Sequence, residues 1–167
     1  MRLADAHERF ATSDSPESTE DLAAELGALL SAPLVIALDG DLGAGKTAFT
    51  RGLVDGVFPG EGEFVSSPTW AVCNAYETDP PIHHYDLYRL SGEDDLESVG
   101  FRDSLEDAIV VVEWPTQVAS VAALVDLEVQ IRLVDASTRS LTLAARTARG
   151  AACLTALSAE RWRMSPA

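Results

Sequence analysis

The chain has 167 residues, and 47% of them are hydrophobic, which is enough to bury the core of one domain but leaves little for a second. The formal net charge of −15 disfavours direct binding to DNA or RNA, because affinity for nucleic acid comes mostly from lysine and arginine. Neither a membrane span of roughly 18 apolar residues nor the core of a signal peptide is visible, so we expect a cytoplasmic protein with no membrane partner.

The first part of the chain predicts a helix, a buried strand and a second helix. Ser15 is a typical N-cap, Pro16 suits the first helical position, and leucines at helical spacing follow, so we predict a helix over residues 16–30. The apolar run 34–38 predicts a buried parallel strand. Apolar residues recur at helical spacing again from Thr47.

A phosphate-binding loop is predicted between this strand and the second helix. Gly40–Thr47 fits the pattern G-x-x-x-x-G-K-[ST], whose backbone N–H groups surround phosphate oxygens. Lys46 is the only lysine in the chain, and its ammonium can reach the β- and γ-phosphates where an arginine fork would fit poorly. The Thr47 hydroxyl is placed to bind Mg²⁺. The predicted nucleotide-binding residues of this loop are Gly40, Gly43, Ala44, Gly45, Lys46 and Thr47; the alternative is a glycine-rich turn that binds no ligand.

The second part of the chain predicts hairpins around another buried strand. The predicted elements are strands at 70–77 and 82–87, a capping box at Ser91 for a short helix, a buried strand at 108–112, a hairpin of strands at 127–134 and 141–145, and a terminal helix at 151–162. We therefore predict an α/β fold, with one P-loop NTPase-like domain over residues 1–167. Its sheet is expected to be mixed but mainly parallel, flanked by helices, with antiparallel hairpin insertions and a C-terminal helix and tail over about residues 150–167.

Two acidic residues that end predicted strands are candidates for metal and water chemistry. Glu113 follows five apolar residues, so its carboxylate would emerge at the C-terminal edge of the sheet, where open α/β sheets bind ligands. We predict that it positions Mg²⁺; the alternative is a charged residue that merely ends a strand. Asp86 is predicted either to support the metal or to orient the attacking water.

Neighbouring residues carry weaker predictions. Thr69, in Ser67-Pro68-Thr69, would sense the terminal phosphate or the metal, or else belong to a plain proline turn. His84 is predicted to be structural rather than a general base. Trp70 and Trp114 are predicted to be core aromatics. The two cysteines form no C-x-x-C pair and are predicted to be free thiols.

Absent motifs favour ATP as the nucleotide. Guanine-specific P-loop proteins usually carry asparagine-lysine-x-aspartate, which is impossible when the one lysine lies in the loop, and the L-S-G-G-Q run of transporter ATPases is also missing. Two other functions remain open. One is a small-molecule kinase with Asp86 as base, although no compact arginine-rich lid follows the loop. The other is a non-hydrolysing regulator, in which ATP sets a conformation that a partner reads.

Four motifs in this order and spacing closely resemble the TsaE (YjeE) family. They are Gly40–Thr47, Ser67-Pro68-Thr69, His84-Tyr85-Asp86-Leu87-Tyr88-Arg89 and Val112-Glu113-Trp114-Pro115. The resemblance covers nearly the whole chain, and Asp-Leu-Tyr-Arg followed by Glu-Trp-Pro is far more specific than the loop. It implies a bacterial mixed-sheet ATPase that acts with the TsaD and TsaB proteins, which install threonylcarbamoyl on adenosine 37 of tRNAs reading ANN codons.

The same resemblance implies a role for individual residues. These roles are phosphate contact for Lys46, Mg²⁺ binding for Thr47 and Glu113, and a link to hydrolysis for Asp86. Arg139 matches an arginine of the late hairpin and is expected to touch the nucleotide. Ala48 stands where a second threonine is common, which leaves a contact to the α-phosphate to the backbone N–H.

The partners, rather than this acidic chain, are expected to hold the tRNA. Segment 93–107 carries seven acids against Arg102 alone. We expect this segment to be a solvated face or, as the alternative, a docking surface for a basic groove on TsaD or on bound tRNA.

Overall fold

Seven strands form one continuous sheet. In the computed structural model, which describes residues 8–164, the spatial order of the strands is β1-β7-β6-β2-β5-β4-β3. The strands are β1 (Glu8–Ser13), β2 (Leu34–Asp39), β3 (Cys73–Tyr76), β4 (Ile82–Asp86), β5 (Ile109–Glu113), β6 (Leu127–Leu133) and β7 (Arg139–Ala145). The four central strands β6, β2, β5 and β4 pair in parallel, whereas β7, β1 and β3 add to them antiparallel. The predicted α/β class with a mixed sheet and antiparallel hairpins is confirmed.

Helices cover both faces of this sheet. They are α1 (Pro16–Gly27), α2 (Lys46–Val57), α3 (Glu93–Ser98), α4 (Phe101–Asp107), α5 (Ala119–Ala122) and α6 (Ala148–Ala156). One core includes Leu26 of α1, Leu53 of α2 and Leu154 of α6. The other core, on the opposite face, includes Phe101 of α4 and Val121 of α5. Each such fully buried side chain contributes about 1.5–3 kcal/mol, which explains why the central strands are apolar on both faces.

The helix ends follow from local chemistry, with some shifts from the predicted boundaries. Ser15 caps α1 as predicted, since its hydroxyl accepts the N–H of Ser18 at 3.0 Å. The helix ends at Gly27 rather than at residue 30. The last helix runs from 148 to 156 instead of 151 to 162, because Thr147 caps it, and the chain turns before the fully buried Trp162.

The capping box predicted for α3 is wrong in detail. Gly92 is the N-cap and supplies no side-chain hydrogen bond. Ser91 instead donates both its N–H and its hydroxyl to the Asp95 carboxylate, at 2.8 and 2.6 Å. These hydrogen bonds lower the pKa of Asp95, because they stabilise the charged carboxylate.

Helices α1 and α2 pack with their backbones almost in contact. A Cβ atom added at Gly52 of α2 would lie 2.0 Å from the carbonyl oxygen of Glu20 in α1. Arg51 also donates to the Glu20 carboxylate at 2.8 Å. Since α2 begins directly after the phosphate-loop segment, this contact fixes where the loop lies relative to the sheet.

Strand β1 was not expected from the sequence. It pairs with β7 along its whole length, and on its other side Phe10 exchanges two backbone hydrogen bonds of 2.8 Å with Arg163. Strand β3 is shorter than predicted, because residues 70–72 form a turn in which the Val72 N–H donates to the Pro68 carbonyl at 2.7 Å. Across residues 8–164, the structure holds no helix that is long and apolar enough to span a bilayer.

A buried polar cluster lies between β4 and α4. The Ser104 hydroxyl lies 2.7 Å from the Tyr85 hydroxyl and 2.5 Å from His83 Nδ1. Burial raises the pKa of Tyr85, and the hydrogen bond with Ser104 acts in the opposite direction. Both Cys73 and Cys153 are free thiols, as predicted.

Candidate functional site

The predicted phosphate loop joins β2 to α2 as expected. Gly45 is the N-cap of α2 with φ 114°, and Gly43 has φ 79°, both in the left-handed region that favours glycine. The first N–H groups of a helix have no partner within the helix, and at α2 they belong to Lys46, Thr47 and Ala48. The N-terminus of α2 therefore offers N–H donors and a positive dipole end to an anion.

Lys46 folds over the loop that precedes it. Its ammonium donates to the carbonyl oxygens of Gly40 at 2.6 Å and Asp41 at 3.2 Å, and lies 5.9 Å from the ring centroid of Trp114. The charge of Lys46 is thus held at the mouth of the loop, within reach of an incoming phosphate.

The two predicted acids lie side by side at the C-terminal ends of their strands. Asp86 of β4 and Glu113 of β5 are direct partners in the parallel register, and both are buried, at 5% and 4% exposure. One Asp86 oxygen accepts the N–H of Tyr88 at 3.0 Å. One Glu113 oxygen lies 2.9 Å from His84 Nε2. Buried carboxylates need such partners, and each acid has its own.

A cavity of about 540 Å³ joins these parts, and its lining combines the loop, the acids and an aromatic rim. It is lined by Asp41, Leu42, Gly43, Gly45, Lys46, Thr47, Ser67, Thr69, Asp86, Tyr88, Glu113 and Trp114. The hydroxyls of Ser67 and Thr69 lie 2.7 Å apart. The volume is in the range of small-molecule sites, and the structure brings together residues that are 72 positions apart in sequence, from Asp41 to Glu113.

Four residues predicted to bind nucleotide do not line this cavity. They are Gly40, Ala44, Ala48 and Arg139. Arg139 reaches the loop from behind, because its Nε donates to the Ala44 carbonyl at 3.2 Å, while Nη1 donates to Ala136 at 3.2 Å. Its place in the structure is that of a support for the loop.

The assignment of Trp70 and Trp114 to the core is wrong. Trp70 is 82% exposed and stacks under Arg89, whose guanidinium carbon lies 3.9 Å from the ring centroid. Trp114 is 40% exposed, has φ 57°, and packs on Tyr88. Trp114 lines the cavity where the chain leaves β5, whereas Trp70 lies outside the lining and directly follows Thr69 of the Ser-Pro-Thr turn.

The oxygen donors of this site suit Mg²⁺. Thr47, Asp86 and Glu113 contribute a hydroxyl and two carboxylates to the lining of the cavity. Over the described range 8–164, no group of three or more His, Cys, Asp or Glu side chains forms a ready metal cage. The hydroxyl and the two carboxylates fit Mg²⁺, which proteins usually hold through one or two carboxylates together with substrate phosphates.

Comparison with known proteins identifies the relatives of this chain. A family profile described as "Threonylcarbamoyl adenosine biosynthesis protein TsaE" matches residues 13–141. The chain belongs to the TsaE family. The matched region contains every predicted site residue, from Gly40 to Arg139.

Relatives named "tRNA threonylcarbamoyladenosine biosynthesis protein TsaE" include those of Haemophilus influenzae and Bacillus subtilis. The first is 36% identical over 127 residues, which are 75% of this chain and 78% of the relative. The second is 32% identical over 133 residues, or 78% and 82% of the two chains. The biosynthesis of threonylcarbamoyladenosine in tRNA is therefore the role of the family to which the chain belongs.

A solved structure shares the fold of this TsaE-family chain. It is the crystal structure of YdiB from Bacillus subtilis, with a TM-score of 0.67 over 87% of this chain and 90% of YdiB, at 23% sequence identity. At that identity, the likeness supports the fold alone.

Proposed function

We propose that this protein binds ATP with Mg²⁺ and hydrolyses it in support of threonylcarbamoyl modification of adenosine 37 in tRNAs that read ANN codons. The observation that carries the proposal is one cavity that combines the Lys46 ammonium, the Thr47 hydroxyl and the two buried carboxylates of Asp86 and Glu113. Membership of the TsaE family supports threonylcarbamoyladenosine biosynthesis as the process in which the protein acts.

The loop would bind the phosphates. The free N–H groups at the start of α2 would surround phosphate oxygens, and Lys46 would exchange its contacts with the Gly40 and Asp41 carbonyls for the β- and γ-phosphates. Its cation would neutralise charge that grows on the terminal phosphoryl group in the transition state.

Thr47 and Glu113 would hold the metal ion. A hydroxyl and a carboxylate are hard oxygen ligands of the kind that Mg²⁺ prefers. When bound, Mg²⁺ supplies further neutralisation of phosphate charge. The protein's own contribution is a preformed and largely buried carboxylate at the end of β5.

Asp86 would orient the attacking water. Its hydrogen bond from Tyr88 occupies one carboxylate oxygen and leaves the other for a water proton. The water oxygen would bond to the γ-phosphorus as the bond to the β–γ bridging oxygen breaks. The products are ADP and inorganic phosphate, and the Asp86 carboxylate accepts the proton that the water releases.

TsaD and TsaB are the proposed partners, and the tRNA would contact this chain only indirectly. The acidic segment 93–107 supports an indirect role, because all its acids except Asp95 are exposed, and exposed carboxylates repel a phosphate backbone. Arg89 and Trp70 form an exposed stacked pair. They directly follow Tyr88 and Thr69 of the cavity lining in sequence, so a partner that contacts the pair could sense the loaded site.

The proposal is tested by ATP turnover of the purified protein, alone and with the TsaD–TsaB pair from the same organism. The Lys46→Ala variant serves as the blank, because it removes the ammonium and adds no atoms that could disturb the packing. We expect slow turnover alone, stimulation by the pair, and loss of both in the variant.

Other outcomes would replace the proposal with one of its rivals. Turnover that depends on an added metabolite, with phosphate recovered on that metabolite, would establish a kinase. Equal support of the modification reaction by a non-hydrolysable ATP analogue would establish a regulator that does not need hydrolysis. Full turnover by Lys46→Ala would contradict the assigned site.

A further inference from the structure

The Glu113 carboxylate has a side-chain hydrogen-bond partner on the neighbouring strand. The Glu113 carboxylate is 4% exposed, and a carboxylate in that position requires a hydrogen-bond donor. Among residues 8–164, the donor is His84 Nε2, at 2.9 Å from Oε1. His84 lies two residues before Asp86 on β4, on the same face of the sheet as Asp86 and Glu113.

The imidazole of His84 is itself completely buried. Its exposure is 0%, and within the described residues its Nδ1 atom has no hydrogen-bond partner. A proton on Nδ1 would therefore be buried without an acceptor, at a cost of about 1–3 kcal/mol. A proton on Nε2, in contrast, has an acceptor in the Glu113 carboxylate.

We propose that His84 is a positioning residue that fixes the Glu113 carboxylate for the metal ion. This inference rests on the proposed function, in which Glu113 binds Mg²⁺. The hydrogen bond from Nε2 occupies Oε1 and limits rotation of the carboxylate, which leaves Oε2 for the ion. Donors behind a metal-binding carboxylate typically change metal affinity by about 10–100-fold when removed.

Asp86 provides an internal contrast for this role. It is held by the backbone N–H of Tyr88, which no side-chain substitution removes. A change at His84 should therefore affect the Glu113 contribution to metal binding and leave the Asp86 contact in place.

A matched pair of substitutions separates the hydrogen bond from the packing. Gln places its side-chain N–H group where His carries Nε2, so His84→Gln keeps a donor for Glu113. Asn is shorter and places its N–H group where His carries Nδ1, so His84→Asn loses that donor. His83→Gln on the same strand is the control, because His83 is half-buried and contacts Ser104 instead of the site.

The measurement is Mn²⁺ binding by electron paramagnetic resonance, in the presence of a non-hydrolysable ATP analogue. EDTA removes the metal ion, so binding of the same analogue in EDTA measures the contribution of the phosphate loop alone. We expect His84→Asn to lose about 10–100-fold in Mn²⁺ affinity, His84→Gln to recover most of it, and His83→Gln to match the wild type. Binding of the analogue in EDTA should be the same in all four proteins.

Several results would overturn the inference. An equal loss in the Asn and Gln variants, or an equal loss of metal-free analogue binding, would mean that His84 only supports the fold. Unchanged Mn²⁺ affinity in His84→Asn would overturn this inference alone, whereas a wild-type protein that binds the analogue without any effect of Mn²⁺ would overturn the proposed metal site as well. If neither His84 variant folds, ¹⁵N NMR of the wild-type imidazoles tests the hydrogen bond directly, because a His84 ring without a proton on Nε2 contradicts the assigned donation to Glu113.

Discussion

Replacing Gly52 by alanine tests whether α1 and α2 really meet backbone to backbone. The new Cβ would lie 2.0 Å from the Glu20 carbonyl oxygen and 2.6 Å from the Glu20 Cα. Ordinary contact begins at 3.4 Å, so the helices must separate by about 1.4 Å. Overpacking of this kind costs about 3 kcal/mol when rigid backbone must move.

Helix propensity acts in the opposite direction. Alanine is favoured over glycine in a helix interior by about 1 kcal/mol. The clash exceeds this gain, so we expect Gly52→Ala to lower the free energy of unfolding by about 2 kcal/mol. With a urea m-value of about 2 kcal/mol/M, the midpoint of unfolding should fall by about 1 M.

Urea unfolding followed by far-UV circular dichroism measures this change. Gly92→Ala is the control, because its backbone is extended and its Cβ would meet nothing within 4 Å; its effect should stay below about 1 kcal/mol. A Gly52→Ala protein as stable as the wild type, or more stable, would refute the close approach of the helices.

Three further predictions concern polar groups that are buried or, for Cys73, half-buried. Asp126 accepts the Val35 N–H at 3.0 Å and the Thr147 hydroxyl at 2.7 Å, so Asp126→Ala should lower the free energy of unfolding in urea by about 1–3 kcal/mol; no change would show that the carboxylate is dispensable. Ser104→Ala removes the partner of the Tyr85 hydroxyl and should lower the thermal midpoint, whereas an unaltered midpoint would contradict that network. Burial raises the pKa of the Cys73 thiol above its ordinary 9.0, so Ellman's reagent at pH 8 should react with Cys73 more slowly in the folded protein than in urea. Ionisation of this thiol favours the unfolded chain, so the contribution of the Cys73 thiol to stability is complete below pH 9 and is lost as the pH rises through the raised pKa. Equal rates of reaction with Ellman's reagent in folded and unfolded protein would contradict the partial burial of Cys73.

The phosphate loop and the two acids were predictable because their signals are local. The loop pattern from Gly40 to Thr47 specifies its own backbone conformation, and the structure shows it between β2 and α2. Asp86 and Glu113 each end a strand, and parallel strands place such residues at one edge of the sheet. Their exact pairing in the register, and the reach of His84 to Glu113, depend on strand order, which no local pattern contains.

Strand β1 was missed because its pattern is weak. Its buried side chains are those of Arg9, Ala11 and Ser13, of which only Ala11 is apolar, so no alternation of hydrophobic and polar residues marks it. The strand forms through pairing with β7, more than 120 residues away in sequence. Where local propensity does not specify a strand, non-local pairing of this kind determines whether one forms.

The tryptophans show how a general preference fails at a functional site. Aromatic residues are usually buried, and Trp162 follows this preference with 0% exposure. Trp114 instead lines the cavity, and Trp70 is exposed. A neighbouring ring contacts Trp114 and a cationic side chain contacts Trp70, and these contacts replace those that a core would give them.

These three environments make the chain its own set of fluorescent reporters. The chain has three tryptophans, so each single-tryptophan version needs only two conservative replacements. Emission from Trp114, 5.9 Å from the Lys46 ammonium, would follow events at the loop. Emission from Trp162 would follow loss of the core, and emission from the exposed Trp70 would follow the arrival of another molecule at its contact with Arg89. Ligand entry, unfolding and complex formation could thus be timed separately in one protein without any attached dye.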